Sequence, residues 1–367
     1  MRIIMIMRTH LLRLLYSGLL LGFVLSPVAW SDMQPVGAVS QAAVERPLVV
    51  TSIPYWDQER AFQSFRSHVE AIDFISLFWY TLDRHGQAVK YRDADIDQTI
   101  VDFAHQHRVK VLALIANLPD EEGTTWDWRR VDAILKSNDS RQRFVTKVLK
   151  LVAAHDFDGI TLDFESLRDR QRTTFTRLVQ VLAQALHQRG KLLRVAVEYE
   201  ADTGQTHGKD WPAITAAADQ LAIMAYEQHW DESGPGPVAS LPWVERTLAF
   251  ARSLKLSMNK VSLGVPLYAY DWPRLSTGQY VTAQGLLYEG AMKLRKRYQA
   301  TAVFDQRSWS PYFRYVNKSR QHVVWYENHR SFRAKLALAQ KYHVGSIFLW
   351  RLGGEDQGIW RTLASLR

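Results

Sequence analysis

Two carboxylates stand at the end of the apolar stretch from Phe157 to Glu165, where apolar and polar positions alternate. Successive side chains of a strand point to opposite faces, so Asp163 and Glu165 share one face, and Ile160 and Phe164 share the other. Two carboxylates on one face are costly to bury unless they have partners or a chemical role. No Lys or Arg interrupts the stretch to supply an ion pair, and we therefore favour acid–base chemistry over a structural ion pair.

The elements that must position these carboxylates follow from the alternation of apolar runs and helical patterns along the chain. Helical patterns such as Ser140–His155 and Arg168–Arg189 lie between the runs, and Gly190 is a suitable residue to end the second helix. The predicted strands are Leu48–Tyr55, Ile72–Leu82, Val109–Asn117, Phe157–Glu165, Leu193–Glu200, Gln220–Glu227, Val261–Tyr268 and Gly345–Trp350. Eight strands, nearly all followed by a helix, predict an α/β protein with a parallel sheet.

A (β/α)8 TIM barrel is the arrangement that best fits the chain, since such barrels need about 250 residues plus insertions. The alternative is a doubly wound sheet, but Thr51–Trp56 after the first strand is aromatic where a glycine-rich phosphate loop would be needed. The irregular stretch at about 272–330 predicts a small α+β insertion after strand 7. Catalytic residues of barrels lie at the C-terminal ends of the strands, which is where Asp163 and Glu165 fall.

The N-terminus has the order of a secretory signal peptide, with basic residues, an apolar run and then small residues. We expect 1–31 to be the signal peptide, 32–46 a tether and 47–367 the barrel, with cleavage near Ser31 and a secreted or periplasmic product. An uncleaved membrane anchor is the alternative, although Leu14–Val28 is short for a spanning helix. After cleavage we expect no stable membrane contact.

Composition excludes several classes of site. The chain has no cysteine, which rules out disulfides, thiolate nucleophiles and cysteine–zinc sites. Its histidines show no metal-ligand spacing, so we expect no metal and no cofactor. The net charge of +9 falls to +6 without the leader's three arginines, and the remaining basic residues are scattered. An exported protein with such a surface is not expected to bind nucleic acid.

The acidic stretch resembles the Asp-Gly-x-Asp-x-Asp-x-Glu signature of glycoside hydrolase family 18, the chitinases and their relatives. Three of its four acidic positions match, at Asp158, Asp163 and Glu165. Met224–Glu227 is similar to the family's Met-x-Tyr-Asp motif, and Leu263–Tyr268 is similar to its seventh strand. The resemblance runs from about Leu48 to Trp360 and implies a secreted glycosidase on a TIM barrel.

Further segments resemble particular branches of the family. The aromatic segments are similar to bacterial spore-cortex and peptidoglycan N-acetylglucosaminidases, and Trp350–Asp356 is similar to family 18 modules fused to polysaccharide deacetylase or glycosyltransferase domains. The aromatic segments are Phe78–Tyr80, Tyr226–Trp230, Ser310–Tyr315 and Val324–Glu327. The implied partner is an N-acetylglucosamine-containing polysaccharide, with peptidoglycan glycan or an exopolysaccharide favoured over chitin.

The resemblance also implies a mechanism in which the substrate's own 2-acetamido group is the nucleophile. Glu165 would be the acid/base, Asp163 would orient the acetamido N–H, and the Tyr226 hydroxyl would hold the carbonyl oxygen. The implied sugar contacts are Trp350, Met224, Glu227, Tyr268, Tyr55 and Asn117. Packing in the aromatic core is the alternative role for Tyr226 and Trp350.

The sequence departs from the family pattern at three places. Thr161 replaces the middle acid of the signature, and since Thr cannot share a proton we expect Asp163 to be more firmly ionised. Glu227 is one methylene longer than the family's Asp, and Leu112–Asn117 stands where the family has Ser-x-Gly-Gly. Two alternatives to an enzyme stay open, namely a catalytically silent lectin on the same barrel and an accessory protein for polysaccharide export. The sequence does not give the oligomeric state.

Overall fold

The computed structural model describes residues 46–120 and 125–366. The expected signal peptide and all of the expected tether except Arg46 therefore lie outside the described residues. Within the described helices, none is long and apolar enough to cross a membrane.

The strands and helices alternate through most of the described chain. In chain order the strands are β1 (Leu48–Pro54), β2 (Phe74–Leu82), β3 (Ala88–Lys90), β4 (Lys110–Ala116), β5 (Gly159–Asp163), β6 (Leu192–Val197), β7 (Gln220–Ile223), β8 (Val261–Pro266), β9 (Tyr268–Pro273), β10 (Gln284–Leu287), β11 (Ala302–Asp305), β12 (Ser310–Asn317), β13 (Arg320–Tyr326) and β14 (Ser346–Trp350). The helices are α1 (Gln58–His68), α2 (Gln98–Gln106), α3 (Trp128–Leu135), α4 (Asn138–Ala154), α5 (Arg172–His187), α6 (Trp211–Ala217), α7 (Leu241–Ser253), α8 (Tyr288–Arg297), α9 (His329–Lys341) and α10 (Gln357–Ala364).

Eight parallel strands form a closed barrel in the order β1, β2, β4, β5, β6, β7, β8 and β14. The barrel is closed because β1 pairs in parallel with both β2 and β14. Helices follow the strands and cover the outside, and β3 is a short antiparallel addition to β2. The predicted (β/α)8 barrel is therefore confirmed.

At the N-terminal end of the barrel, aspartates that precede strands connect neighbouring strands by hydrogen bonds. Each carboxylate accepts a hydrogen bond from the backbone N–H of the second residue of the neighbouring strand, and so fixes the strand register. The pairs are Asp73 with Val49 (2.7 Å), Asp158 with Val111 (2.8 Å) and Asp219 with Leu193 (2.7 Å). Asp158, the first acid of the signature, thus lies at the opposite end of β5 from Asp163, where it holds β4 and β5 in register.

A second, antiparallel sheet in the order β10, β9, β13, β12 and β11 follows β8 and carries α8. It begins at Tyr268, directly after β8, whereas the sequence pattern predicts that the seventh barrel strand includes Tyr268 and that the insertion begins at about 272. Its inner residues Tyr268, Tyr270 and Trp272 form an apolar cluster against which Tyr226 and Trp350 pack. The insertion is therefore a wall of the barrel's open end rather than a separate unit.

Candidate active site

An open cleft lies at the C-terminal ends of the barrel strands and extends into the barrel interior. Its volume, including the solvent-filled mouth, is about 1130 Å³. The lining residues are Trp56, Phe78, Leu114, Leu118, Trp126, Thr161, Asp163, Glu165, Arg194, Ala196, Ala222, Met224, Tyr226, Glu227, Asp231, Tyr268, Tyr270, Leu287, Phe348, Trp350 and Arg351. Barrel enzymes place their chemistry at this end, and the cleft is therefore the candidate active site.

Glu165 follows β5 by two residues and is only 3 % exposed. The side chain of Asn117, just beyond β4, holds its backbone on both sides. The Asn117 amide nitrogen donates to the Glu165 carbonyl at 2.9 Å, and the Glu165 N–H donates to the Asn117 amide oxygen at 2.8 Å. These two bonds fix where the Glu165 side chain leaves the loop.

Asp163 is the last residue of β5 and lies two positions before Glu165 on the same face of the strand. It is 9 % exposed, and its Oδ1 has no hydrogen-bond partner among the described residues. Burial raises the pKa of Asp163 to about 6, against the opposing effect of the Lys209 ammonium. The effect of Thr161, which removes a neighbouring acid, therefore adds to a balance in which desolvation by burial is the largest contribution. The more firmly ionised Asp163 expected from Thr161, relative to a chain with an acid at that position, stays a prediction.

Tyr226 lies just beyond β7, beside both carboxylates. Burial raises the pKa of its hydroxyl well above the usual value, and the charges of Asp163 and Glu165 raise it further. Gly264 on β8 leaves room for the ring, because a Cβ at that position would stand 2.9 Å from Tyr226 Cε1 and 2.7 Å from the Ile223 carbonyl oxygen. Tyr226 therefore presents a neutral hydroxyl close to the acidic pair.

Glu227, next to Tyr226, has a positive φ of 66°, a backbone conformation that side chains other than glycine rarely adopt. The insertion supplies its partners, because the Tyr268 hydroxyl donates to its carboxylate and the Tyr270 hydroxyl lies 3.0 Å from both carboxylate oxygens. Burial raises the pKa of Glu227 to about 7 despite these bonds. The two tyrosines thus fix the Glu227 carboxyl group in the cleft wall.

Trp350 ends β14 and stands in an aromatic group at the cleft. Its ring centroid is 6.4 Å from that of Trp56 and 6.1 Å from that of Phe78, both edge-on. Tyr55 lies behind this group, where it stacks on Tyr91 with 4.6 Å between centroids, and it is not among the residues that line the cleft.

The cleft brings together Asp163, Glu165 and Tyr226 with most of the predicted sugar contacts, which are Met224, Glu227, Tyr268 and Trp350. Tyr55 and Asn117 are the exceptions. Asn117 is fully buried and holds the Glu165 backbone. It therefore positions Glu165 and is not placed to contact a sugar as predicted. Tyr55 stacks on Tyr91 and contacts the cleft residues Trp56 and Phe78, and its predicted sugar contact stays a prediction.

Several cleft residues were missed by the sequence reasoning, namely Trp56, Phe78, Trp126, Arg194, Asp231 and Tyr270. A signal existed for two of them. Tyr270 follows Tyr268 at strand spacing, and Arg194 is a charged residue inside a predicted barrel strand. Trp126 and Asp231 lie on loops, whose course the pattern does not give. Over residues 46–120 and 125–366, no group of three or more acidic or histidine side chains is placed to hold a metal ion.

Comparison with known proteins matches residues 51–356 to the family described as glycosyl hydrolases family 18. The uncharacterized glycosylase YvbX of Bacillus subtilis is 27% identical over 308 residues, which are 83% of this chain and 87% of that protein. The cortical fragment-lytic enzyme of Bacillus subtilis is 23% identical over 311 residues, covering 83% of this chain and 70% of that enzyme.

Two solved structures show the same architecture. A chitinase from Chromobacterium violaceum aligns with a TM-score of 0.78 and 25% identity, over 87% of this chain and 98% of that one. The Bacillus cereus spore cortex-lytic enzyme SleL aligns with a TM-score of 0.79 and 21% identity, over 88% of this chain and 74% of that one. The family match spans most of the barrel and includes the acidic pair at its open end, so the chain belongs to glycoside hydrolase family 18 and is a glycosidase.

Proposed function

We propose that this protein is an exported glycosidase that cleaves an N-acetylglucosamine-containing polysaccharide by retaining, substrate-assisted catalysis. Peptidoglycan glycan or an exopolysaccharide is favoured over chitin. The observation that carries the proposal is the convergence of Asp163, Glu165 and Tyr226 on one cleft with an aromatic group around Trp350. Aromatic rings beside carboxylates suit a sugar ring, which has apolar faces and polar edges.

In the proposed reaction, protonated Glu165 gives its proton to the glycosidic oxygen as the bond from that oxygen to the anomeric carbon breaks. The carbonyl oxygen of the 2-acetamido group forms a bond to the anomeric carbon, which yields an oxazolinium ion. Water then attacks the same carbon from the face that the leaving group vacated, and Glu165 takes its proton. Two displacements at one carbon leave the anomeric configuration unchanged.

Asp163 and Tyr226 act on the acetamido group in this scheme. The Asp163 carboxylate accepts the acetamido N–H, and its charge offsets the positive charge that develops on the oxazolinium ion. The Tyr226 hydroxyl, which burial keeps neutral, donates to the carbonyl oxygen and aims it at the anomeric carbon. Burial of Asp163 at the barrel end of the cleft strengthens its electrostatic effect on the oxazolinium ion.

The choice of polymer rests on the cortical fragment-lytic enzymes among the similar proteins and on the changed third strand, where Leu112–Asn117 replaces the chitinase pattern. The test is product release from peptidoglycan, poly-N-acetylglucosamine and chitin oligomers, analysed by mass spectrometry for the wild type and Glu165→Gln. We expect release from peptidoglycan or poly-N-acetylglucosamine by the wild type only. Binding without cleavage by both proteins would instead support the lectin alternative.

Export is a separate part of the proposal and rests on the order of basic, apolar and small residues in 1–31. Cell fractionation followed by N-terminal sequencing tests it. A mature chain that begins close to residue 32 in the external or periplasmic fraction is expected. A full-length chain in the membrane fraction would contradict cleavage and support the anchor alternative.

A further inference from the structure

Arg194 is a buried cation inside the barrel, below the acidic pair. It lies in the middle of β6, is 1 % exposed and lines the deep part of the cleft. Its guanidinium group stacks on the Phe348 ring at 4.3 Å and donates to the Ser262 hydroxyl at 3.2 Å. Among the described residues it has no carboxylate within ion-pair distance, and its Nε has no hydrogen-bond partner. A buried charge without a paired charge is costly and therefore marks a functional position.

The register of the barrel connects Arg194 with the altered signature. In the parallel pairing of β5 and β6, Thr161 and Arg194 are direct partners, and both side chains line the cleft. Thr161 is the position at which the family signature has its middle acid, and here its hydroxyl accepts a hydrogen bond of 3.0 Å from Ser76. The chain therefore has a neutral residue where a second acid is expected, with a cation directly beside it.

The charges around Asp163 leave Arg194 as an unpaired cation close to it. Lys209 lowers the pKa of Asp163 most among the neighbouring groups, but its ammonium is bound to Glu198 at 2.6 Å, and that carboxylate acts in the opposite direction. Arg194 is the other cation that lowers the pKa of Asp163. The remaining titratable neighbours are Glu165 on the same chain segment and the neutral hydroxyls of Tyr226 and Tyr91.

We infer that Arg194 is a positioning residue for catalysis, whose positive charge holds Asp163 as a carboxylate. In a chain with a second acid at position 161, a proton shared between the two acids would have the corresponding place; here the guanidinium takes it. This inference rests on the proposed function, because the carboxylate form of Asp163 is the form that accepts the acetamido N–H. The barrel interior has a low effective dielectric constant, so a guanidinium acts on Asp163 without direct contact. Arginine suits the place because its guanidinium keeps its proton and stacks flat on an aromatic ring.

The pH profile of kcat/KM tests the inference with Arg194→Met and Arg194→Lys. Loss of the positive charge in Arg194→Met raises the pKa of Asp163, so the acidic limb of the profile moves to higher pH by about one unit. Activity on the acidic limb then falls about tenfold, with a much smaller loss near pH 8. Arg194→Lys keeps a positive charge and is expected to keep the limb within a few tenths of a unit of the wild type. A uniform loss at all pH values in Arg194→Met, with an unmoved limb, would overturn the inference.

A stability measurement separates failure of this inference from failure of the proposed function, because it needs no turnover. The unfolding midpoints of the wild type and Arg194→Met are compared from pH 4 to 8, with and without Asp163→Asn. Buried Asp163 ionises at a lower pH when Arg194 is present. The destabilisation caused by Arg194→Met is therefore expected to increase as pH rises above 6. In the Asp163→Asn background, the same substitution is expected to have an effect that does not change with pH. A pH-independent difference, or the same growth in the Asp163→Asn background, would show that Arg194 does not act on Asp163.

Discussion

At the residue scale, the position of Glu165 depends on the side chain of Asn117. We predict that Asn117→Ala lowers kcat by about 10²-fold, since a misplacement of about 1 Å has effects of that size. KM should change much less, because Asn117 is fully buried and does not line the cleft. Steady-state kinetics on the polymer that the wild type cleaves provide the measurement. An unchanged kcat would show that the two bonds to the Glu165 backbone are dispensable.

The matched control is Asn328→Ala. Asn328 caps the N-terminus of α9, where its side chain accepts hydrogen bonds from the backbone N–H groups of Arg330 and Ser331 at 3.0 and 3.1 Å. Its loss is expected to destabilise the fold by about 1 kcal/mol, with kcat unchanged. A loss of kcat in Asn328→Ala equal to that in Asn117→Ala would attribute both effects to stability.

The raised pKa of Asp163 gives a second prediction at this scale. In the proposed mechanism the carboxylate form of Asp163 is the active one, so kcat/KM of the wild type should fall below pH 6, about tenfold for each pH unit. The free energy of unfolding changes with pH in the opposite direction to kcat/KM. An acid whose pKa is raised by folding favours the folded state at low pH, and this contribution is lost as pH rises from about 4 through 6. A pH–rate profile that stays flat down to pH 4.5 would contradict the assignment of Asp163.

At the scale of elements, the close approach of β8 to Tyr226 is a point where one methyl group matters. A Cβ at position 264 would lie 2.9 Å from the Tyr226 ring and 2.7 Å from the Ile223 carbonyl oxygen. Gly264→Ala must therefore move the ring or the strand. We predict a loss of kcat of at least tenfold, measured together with the thermal midpoint, since in the proposed mechanism Tyr226 positions the acetamido oxygen.

Gly290→Ala is the control for this substitution. Gly290 lies in α8, and the nearest atoms to an added Cβ are those of the Leu286 side chain at 3.8 Å, an ordinary contact. Alanine is the better helix former, so stability should rise by about 0.5–1 kcal/mol with unchanged activity. If Gly264→Ala is as active as Gly290→Ala, the orientation of Tyr226 is not set by β8.

The sequence pattern predicted all eight barrel strands, because a buried parallel strand is a short apolar run between turn residues. It was wrong about where β8 ends. Tyr268–Trp272 alternates like a strand and follows β8 after a single residue, and only its antiparallel pairing with β10 and β13 shows that it belongs to the second sheet. A period-two pattern records which face a side chain takes but does not record which sheet it joins.

At the scale of the whole molecule, a buried ion pair joins the end of the insertion to the barrel. Glu327 follows β13 and accepts from Lys335 of α9 at 2.8 Å, with side-chain exposures of 1 % and 0 %. We predict that Lys335→Met destabilises the protein by about 3–5 kcal/mol, because it leaves a buried carboxylate without its counter-charge. Urea unfolding at neutral pH, read as a free energy of unfolding, measures this effect.

The double variant Glu327→Gln/Lys335→Met removes both charges and should recover most of the lost stability. The Ser331 hydroxyl, 2.7 Å from Glu327 Oε2, can still bond to the amide in that variant. Equal instability of the single and double variants would show that packing, and not the unpaired charge, accounts for the loss.

The acidic pair, Tyr226 and Trp350 could be named from the sequence because each belongs to a short motif that ends a strand. The contacts of Asn117 and Arg194 in the folded protein could not be predicted in this way. The position of Asn117 depends on how β4 lies against the loop after β5, and that of Arg194 depends on the register between β5 and β6. Such relations join residues distant in the chain, and a single sequence contains no record of them.

In the proposed mechanism, Glu165 acts with the substrate's own acetamido group in a retaining hydrolysis. The most direct measurement is the anomeric configuration of the first product, followed by proton NMR in the initial minutes of cleavage by the wild type, with Glu165→Gln as the inactive control. Because the proposed substrates are β-1,4- or β-1,6-linked polymers of N-acetylglucosamine, we predict that the β-anomer appears first and that Glu165→Gln releases no product. Initial release of the α-anomer, or undiminished cleavage by Glu165→Gln, would contradict it.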